Sequence, residues 1–322
     1  MRKLASIQKI KEILPHSNAD RLEIVKVNHW QVIVKKGEYS VGDRVVFFEI
    51  DSFIPEREEL SFIPTTTFND VVGHRIKTAK LRGERSQGLV MPLNILKEQT
   101  DVLGVVGEDV TEKLGVLKYE KFVFDRENTA PFPDFLRKSE QERIQNIDPN
   151  FSTYYFVTEK LDGESMTVWW DSQQEKVRVC SRNLELLNPE HYMFKAITPA
   201  MLDFCKTFAG IYAIQGEIIG PNVQGNIYGL TEREFNAYAV WDIKDQEYSP
   251  AFLALTQLGS YGVKTVPILN VNYQIVSVDL ALTFADGYSA KNPNVLREGV
   301  VMWNNLTNDS FKVISNSFLE TE

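Results

Sequence analysis

Along the first hundred or so residues, apolar and polar positions alternate with a period of two in short runs broken by turn residues. Arg21 to Val27 reads Arg-Leu-Glu-Ile-Val-Lys-Val and Trp30 to Lys35 reads Trp-Gln-Val-Ile-Val-Lys. Gly37 and Gly42-Asp43 then punctuate the chain ahead of Val45-Val46-Phe47-Phe48-Glu49-Ile50. Alternation places every second side chain on one face, and short strands at this spacing predict a small β-barrel. Between residues 112 and 135 the pattern loosens, and Pro131 and Pro133 close a charged stretch. The domain junction is placed there, giving an N-terminal domain over 1–118 and a second over 119–322. Beyond it the pattern predicts a helix over Asp134 to Asn146, then strands over Tyr154–Glu159, Met166–Trp170, Val177–Cys180, Tyr212–Ile219, Ala237–Ile243, Gly299–Trp303 and Phe311–Ile314. Asn188-Pro189 and Ser249-Pro250 read as helix N-caps with proline at the first helical position, and Gly259 and Gly287 read as helix stops. The second half is therefore α+β, an antiparallel sheet with helices packed outside.

Composition narrows the class without naming it. Hydrophobic residues at 43% and charged residues at 25% are ordinary globular usage and exclude a disordered, collagen-like or coiled-coil chain. No apolar run approaches the roughly 18 residues of a membrane span, and the opening Met1-Arg2-Lys3-Leu4-Ala5-Ser6 starts no signal-peptide core, so a cytoplasmic or otherwise intracellular protein with no membrane partner is expected. Cys180 and Cys205 cannot build a disulfide framework or a four-cysteine zinc site, and both read as small core residues. The four histidines are scattered, and there is neither a Walker-type lysine loop nor a His-Glu-x-x-His string. A net charge of −9 excludes the general basic field of a histone-like binder, so a polyanion must meet a local patch. One such patch is the segment 74–85, where Arg75, Lys77, Lys80, Arg82 and Arg85 stand against Glu84. A solvated charged hairpin is the competing reading.

The chemistry centres on Thr158-Glu159-Lys160-Leu161-Asp162-Gly163-Glu164-Ser165. A run of β-formers delivers Lys160 at its end, and Asp162-Gly163 turns the chain into the next strand. A lysine at the mouth of a hairpin is, by itself, equally a surface charge. Downstream, however, lie Ser181-Arg182-Asn183, Gln215-Gly216-Glu217-Ile218-Ile219-Gly220, Ala239-Val240-Trp241-Asp242-Ile243, Arg297-Glu298-Gly299-Val300-Val301 and Phe311-Lys312-Val313-Ile314. In this order and spacing they resemble the motifs of the covalent nucleotidyltransferases, the superfamily of ATP-dependent DNA and RNA ligases and mRNA capping enzymes. The run Gly216 to Asn226, with Glu142-Arg143-Ile144-Gln145-Asn146 ahead of the lysine, looks most like the nick-sealing RNA ligases, and the likeness covers roughly residues 140 to 316. In the first half, Pro15-His16-Ser17-Asn18-Ala19-Asp20-Arg21-Leu22 resembles the opening of OB-fold tRNA-binding modules. OB barrels hold nucleic acid through a basic groove and stacking aromatics, which makes Trp30 and segment 74–85 candidate contacts, although Trp30 could equally be core.

The resemblance implies an ATP-dependent RNA ligase with an N-terminal OB barrel and an antiparallel-sheet nucleotidyltransferase domain. Lys160 would attack the α-phosphorus of ATP, expel pyrophosphate and carry AMP through a phosphoramide bond. Its amine must first lose a proton, and bringing a pKa near 10.4 down to about 7.5 takes roughly 4 kcal/mol. Burial and neighbouring cations push in that direction, and Lys312, Arg182 and a divalent metal are the cations implied. Lys312 is implied as the α-phosphate contact, alone where many relatives carry Lys-x-Lys. Asp162, Glu217 and Glu298 would surround Mg2+ or Mn2+, either as ligands or by holding its waters. Trp241 is the implied adenine platform, with Tyr238 and Phe235 as competitors; Glu159 is implied on the adenine side, Arg182 at ribose or the nick phosphate, and Arg143 at the triphosphate tail. The expected partners are ATP and nicked duplex containing RNA, and a monomer is expected. The alternatives are a DNA ligase or a capping guanylyltransferase of the same superfamily, and a non-catalytic OB-type nucleic-acid-binding protein.

Overall fold

The N-terminal part is organised by a strand that the alternation did not single out. In the computed structural model, which describes residues 3–96, 102–120, 125 and 127–321, Ala5–Pro15 forms β1 and buries Ala5, Ile7 and Ile10. The strands that follow are β2 (Leu22–Val27), β3 (Trp30–Lys35), β4 (Arg44–Phe48), β5 (Ser52–Pro55), β6 (Thr65–Phe68) and β7 (Val71–Arg75). After them come β8 (Thr78–Leu81), β9 (Glu84–Gln87), β10 (Leu89–Pro92) and β11 (Leu117–Lys118). The first half of β1 pairs with β4 and the second half with β2, with a bulge between Ile10 and Glu12. A bulge adds local bend and twist, which lets one strand serve both parts of a curved sheet. The resulting sheets run β10-β4-β1-β2-β3 and β11-β5-β7-β6, beside the β8–β9 hairpin. The residues from Met1 to Phe122 form one compact unit and those from Val123 to Thr321 a second.

Two sequence-level contacts take definite places in the first unit. Trp30 is fully buried with its ring 6.0 Å from that of Phe47, so it is core and offers no face to a base. Segment 74–85 divides: His74 and Ile76 are buried, whereas Lys77, Lys80 and Arg82 are exposed on or beside β8 and β9. The hairpin closes through Arg82 (φ 47°) and Gly83 (φ 97°), the two left-handed positions of a tight two-residue turn. The string that begins at Pro15 has a structural task. His16 is buried, its Nδ1 accepts from the Asn18 amide at 3.0 Å, and its Nε2 therefore donates to the Leu81 carbonyl at 3.1 Å. The Ser17 hydroxyl donates to Glu84 at 2.5 Å, and together these bonds moor the basic hairpin to the barrel.

The second unit contains β12 (Thr129–Pro131), β13 (Glu142–Arg143), β14 (Tyr154–Lys160), β15 (Glu164–Asp171), β16 (Lys176–Cys180) and β17 (Leu184–Leu186). Helices α1 (Tyr192–Lys195) and α2 (Pro199–Thr207) precede β18 (Tyr212–Ile219), β19 (Glu234–Asp242) and β20 (Glu247–Tyr248). The chain continues through α3 (Ala251–Ser260), β21 (Ile268–Gln274), α4 (Val278–Ala285), β22 (Gly299–Asn304), β23 (Ser310–Ile314) and α5 (Asn316–Leu319). One sheet runs β12-β17-β16-β15-β18-β19-β20 and the other β13-β23-β22-β14-β21. Met166, Val168, Ile214 and Ile218 pack with Phe204 and Cys205 of α2 and Leu255 and Leu258 of α3. Tyr155, Val157, Val300, Met302 and Val313 pack against Ala281, Leu282 and Ala285 of α4. The unit is thus mixed α+β, as expected. Cys180 and Cys205 are free and buried, and no helix among the described residues is long and apolar enough to cross a membrane.

Four local expectations are corrected. Asp134 to Asn146 is not a helix: a turn and extended chain lead into β13 and a 3-10 turn at Ile144–Asn146. Glu142 and Arg143 are claimed instead by parallel pairing with Phe311 and Lys312. The capped proline ahead of α2 is Thr198-Pro199, with the Thr198 hydroxyl accepting from the Met201 amide at 3.2 Å, and not Asn188-Pro189, after which α1 begins with His191 as its cap. Pro250 is itself the N-cap of α3 rather than its first residue, and Gly259 lies inside that helix rather than beyond it.

Candidate active site

Lys160 ends β14, and Leu161 to Gly163 turn the chain into β15. Along β14 the side chains of Phe156, Thr158 and Lys160 share one side, while Tyr155, Val157 and Glu159 share the other. Gly163 makes the turn possible, because a Cβ there would sit 2.3 Å from the Ile218 carbonyl and 2.8 Å from Glu217 Cγ. The absence of a side chain therefore brings the Glu217 strand against the lysine turn. Gly299 does the same from the other neighbour: it pairs with Lys160, and a Cβ on it would meet the Val313 carbonyl at 2.2 Å. That pairing fixes Glu298, the preceding residue, beside the lysine.

The result is a lysine among carboxylates. Lys160 Nζ lies 2.7 Å from Glu298 Oε2, with both side chains mostly shielded from solvent (26% and 16% exposed). Burial pulls the lysine pKa down, but Glu298, Glu217 and Asp162 together outweigh it and hold the group above its usual value. This corrects the expectation of a lysine set about by cations. Burial pushes the Glu217 carboxyl up to about 8; Lys160 and Arg182 oppose that shift and Glu298 and Asp162 add to it. In the protein alone, then, the raised pKa keeps Lys160 an ammonium beside Glu298, while the Glu217 carboxyl is pushed toward its protonated form.

Asp162, Glu217 and Glu298 surround Lys160, yet among the described residues no three His, Cys, Asp or Glu side chains converge closely enough to hold a metal ion directly. The donor set suits a hard cation that keeps its own waters, because three carboxylates lie around a single lysine.

The remaining residues separate by the side of the sheet they occupy. Lys312 pairs with Val301, which pairs with Thr158, so Lys312 shares Lys160's side of the sheet, two strands away. Arg143 pairs in parallel with Lys312 and is buried. Arg182 approaches Glu140 at 3.9 Å and is close enough to oppose weakly the burial-driven rise of both Glu217 and Tyr238. Glu159 is not brought to Lys160 Nζ. It faces the other side of β14, where its Oε2 accepts from the Ala290 amide at 2.8 Å and its Oε1 is buried without a hydrogen-bond partner. Burial raises its pKa, against weaker opposing pulls from Ser289, Ala290, Arg297 and Lys291.

Trp241 is a correction. It pairs with Ala213, four residues along β18 from Glu217, about 13 Å away at roughly 3.3 Å per residue. It is 3% exposed, packs with Leu136, Trp169 and Cys180, and donates from its indole to the Phe135 carbonyl at 3.0 Å. Both its faces and its polar edge are thus already used. Phe235 is also excluded, being buried under Gly216. Tyr238 remains. It is the extra residue of a bulge between the pairs Gln215–Ala239 and Gly216–Ala237, and its hydroxyl lies 3.2 Å from Ser165 Oγ, in the field of Glu217.

One contact escaped the sequence reading. The Tyr228 hydroxyl accepts from the Asp162 amide at 2.7 Å, from within the loop that follows β18. The loop is folded back on itself through left-handed positions at Asn222, Gln224, Gly225, Asn226 and Gly229.

Likeness to known proteins agrees with this geometry. An OB-fold domain model matches residues 4–93 and an RNA ligase family model matches residues 153–314. No curated protein matches the chain. Among solved structures, the Naegleria gruberi RNA ligase with PPi superposes with a TM-score of 0.90 at 36% identity, covering 100% of this chain and 99% of that one. Variants of the same enzyme solved with ATP and Mn, and with AMP and Mn, give TM-scores of 0.90 and 0.89 at 37% and 35% identity, each again covering 100% of this chain and 99% of theirs. Sheet, turn and lysine therefore stand in a setting shared along the full chain, which belongs to the RNA ligase family.

Proposed function

We propose that this chain is an ATP-dependent RNA ligase that seals 3′-OH/5′-phosphate nicks in duplex containing RNA through AMP carried on Lys160. The observation that carries the reading is Lys160 Nζ, held 2.7 Å from Glu298 Oε2 on the same side of the sheet as Lys312. The relatives solved with ATP, AMP and Mn support ATP as the co-substrate and Mn2+ or Mg2+ as the metal.

In the first step Lys160 gives up its proton, for which Glu298 Oε2 is the acceptor within hydrogen-bond reach. The freed electron pair attacks the α-phosphorus, a P–N bond forms, and the P–O bond to pyrophosphate breaks. Lys312 faces the developing charge on the α-phosphate oxygens, and Arg143, next to it in register, extends cationic character toward the departing pyrophosphate. A divalent cation held through its waters by Asp162, Glu217 and Glu298 would offset their charge and so make the uncharged amine accessible. Tyr238 supplies the adenine platform in place of Trp241. AMP then passes to the 5′-phosphate, and attack by the 3′-OH releases it; Arg182 is read as the contact for the ribose or nick phosphate. The OB unit is read as the clamp on nucleic acid.

Incubation with labelled ATP and Mn2+ or Mg2+ tests this. Mass spectrometry is expected to find one added AMP on the peptide that contains Lys160, and Lys160→Met is expected to abolish it. An adduct on another peptide would overturn the assignment, while labelling by GTP alone would indicate a capping enzyme.

A further inference from the structure

The turn that carries Lys160 is held from two sides. Leu161 is 2% exposed and anchored in the main core, and the Asp162 amide is bound by the Tyr228 hydroxyl at 2.7 Å. Tyr228 is 4% exposed and belongs to a different segment, the loop from Gly220 to Leu230. That loop is stiffened from within: Asn226 Nδ2 donates to the Leu230 carbonyl at 2.9 Å, and its Oδ1 accepts from the Leu230 amide at 3.1 Å. It is tied from outside as well, because Asn292 Nδ2 donates to the Tyr228 carbonyl at 3.1 Å.

A backbone N–H at the residue next but one to a nucleophile controls where that nucleophile points. With the amide bonded, Leu161 and Asp162 have little freedom, and Lys160 leaves the strand in one direction. We propose that Tyr228 is a positioning residue for the adenylation step, its hydroxyl clamping the Asp162 amide so that Lys160 Nζ meets the α-phosphorus in line. Burial, then Glu298, Asp162 and Glu159, raise the phenol's pKa against the lowering by the Asp162 amide's hydrogen bond. Small misplacements of reacting atoms carry large rate penalties, which is why a hydroxyl that touches neither ATP nor lysine can matter.

This inference rests on the ligase reading, and one experiment separates the two. Full-length wild type and Tyr228→Phe are compared in single-turnover formation of lysyl-AMP across a range of ATP with Mn2+, and in sealing of a pre-adenylated nicked strand, which needs no lysine nucleophile. The expected result is a fall of tenfold or more in the maximal adenylation rate, with the ATP concentration at half-maximum and the sealing of the pre-adenylated strand each within about twofold of wild type. Asn292→Ala, which releases the same loop from its carbonyl side, is expected to show the same split in weaker form and serves if the phenylalanine variant folds poorly. Equal adenylation rates in wild type and Tyr228→Phe, or an equal fall in both reactions, overturn the positioning role. A wild type that forms no lysyl-AMP at all removes the ligase reading, and this proposal with it.

Discussion

A nucleophilic lysine needs its lone pair, yet Lys160 is stored here as an ammonium against Glu298, with its pKa raised by the surrounding carboxylates. Glu217 carries the complementary cost: with its pKa pushed up to about 8, the folded protein holds a proton that the unfolded chain has released above about pH 4.5. Between those two values the folded state binds more protons than the unfolded state, so this group's contribution to stability falls as pH rises and is lost once pH passes about 8. Glu217→Gln removes the titration. In metal-free protein the variant is expected to melt a few degrees higher than wild type at pH 8.5 and to converge with it near pH 5, as followed by thermal denaturation at both pH values. A wild type whose melting temperature relative to the variant is the same at both values would show that Glu217 ionises normally. The same proton makes a second expectation. Divalent metal that engages an ionised Glu217 must displace it, so calorimetric titration of Mn2+ at pH 7 in two buffers of different ionisation enthalpy is expected to report proton release, and Glu217→Gln to report less.

At the scale of the strands, the site depends on how closely three segments approach, and glycine sets that distance. Gly163→Ala places a methyl group 2.3 Å from the Ile218 carbonyl, a backbone atom that cannot swing aside. A loss of about 2 kcal/mol or more in denaturant unfolding is expected, with adenylation reduced further than stability accounts for. A second test at this scale separates two aromatics on one strand. Tyr238→Ala is expected to raise the ATP concentration at half-maximal adenylation by about tenfold, the loss of one base-stacking surface, whereas Trp241→Phe is expected to lower the melting temperature and leave ATP use as it was. That pair also shows what the sequence could carry. Strand periodicity located Tyr212–Ile219 to the residue, and the order of the acidic and basic motifs pointed to Lys160, Glu217, Glu298 and Lys312. Periodicity could not tell Trp241 from Tyr238, because the bulge at Tyr238 shifts which residues share a face, and a bulge depends on the neighbouring strand. The same limit explains Asp134 to Asn146. Its residues tolerate a helix locally, and pairing of Glu142 and Arg143 with β23, some 170 residues later, decides otherwise. Tyr228 was missed because its partner is a backbone amide, which has no signature in sequence.

For the whole molecule, a net charge of −9 means that a polyanion is repelled at long range and can be held only where cations are gathered locally. The β8–β9 hairpin is such a place, with Lys77 and Arg82 exposed and the hairpin itself moored by His16 and Ser17, so that its charges are presented on a fixed support rather than on a loose loop. If the OB unit clamps nicked duplex through this hairpin, each phosphate contact releases a bound counterion, and affinity falls with salt by roughly 0.9 logarithmic units per contact per tenfold change in salt. Lys77→Gln with Arg82→Asn tests this with little structural cost, since asparagine tolerates the left-handed backbone at position 82. The double variant is expected to bind a nicked duplex more weakly and with a salt slope shallower by about two units, while single-turnover formation of lysyl-AMP, which involves no nucleic acid, stays at the wild-type rate. Filter binding across a series of salt concentrations measures the slope, and labelled ATP measures the adenylation. An unchanged slope would place the duplex on another face of the protein, whereas a fall in adenylation would mean that the hairpin acts on the catalytic unit and not on the strand it joins.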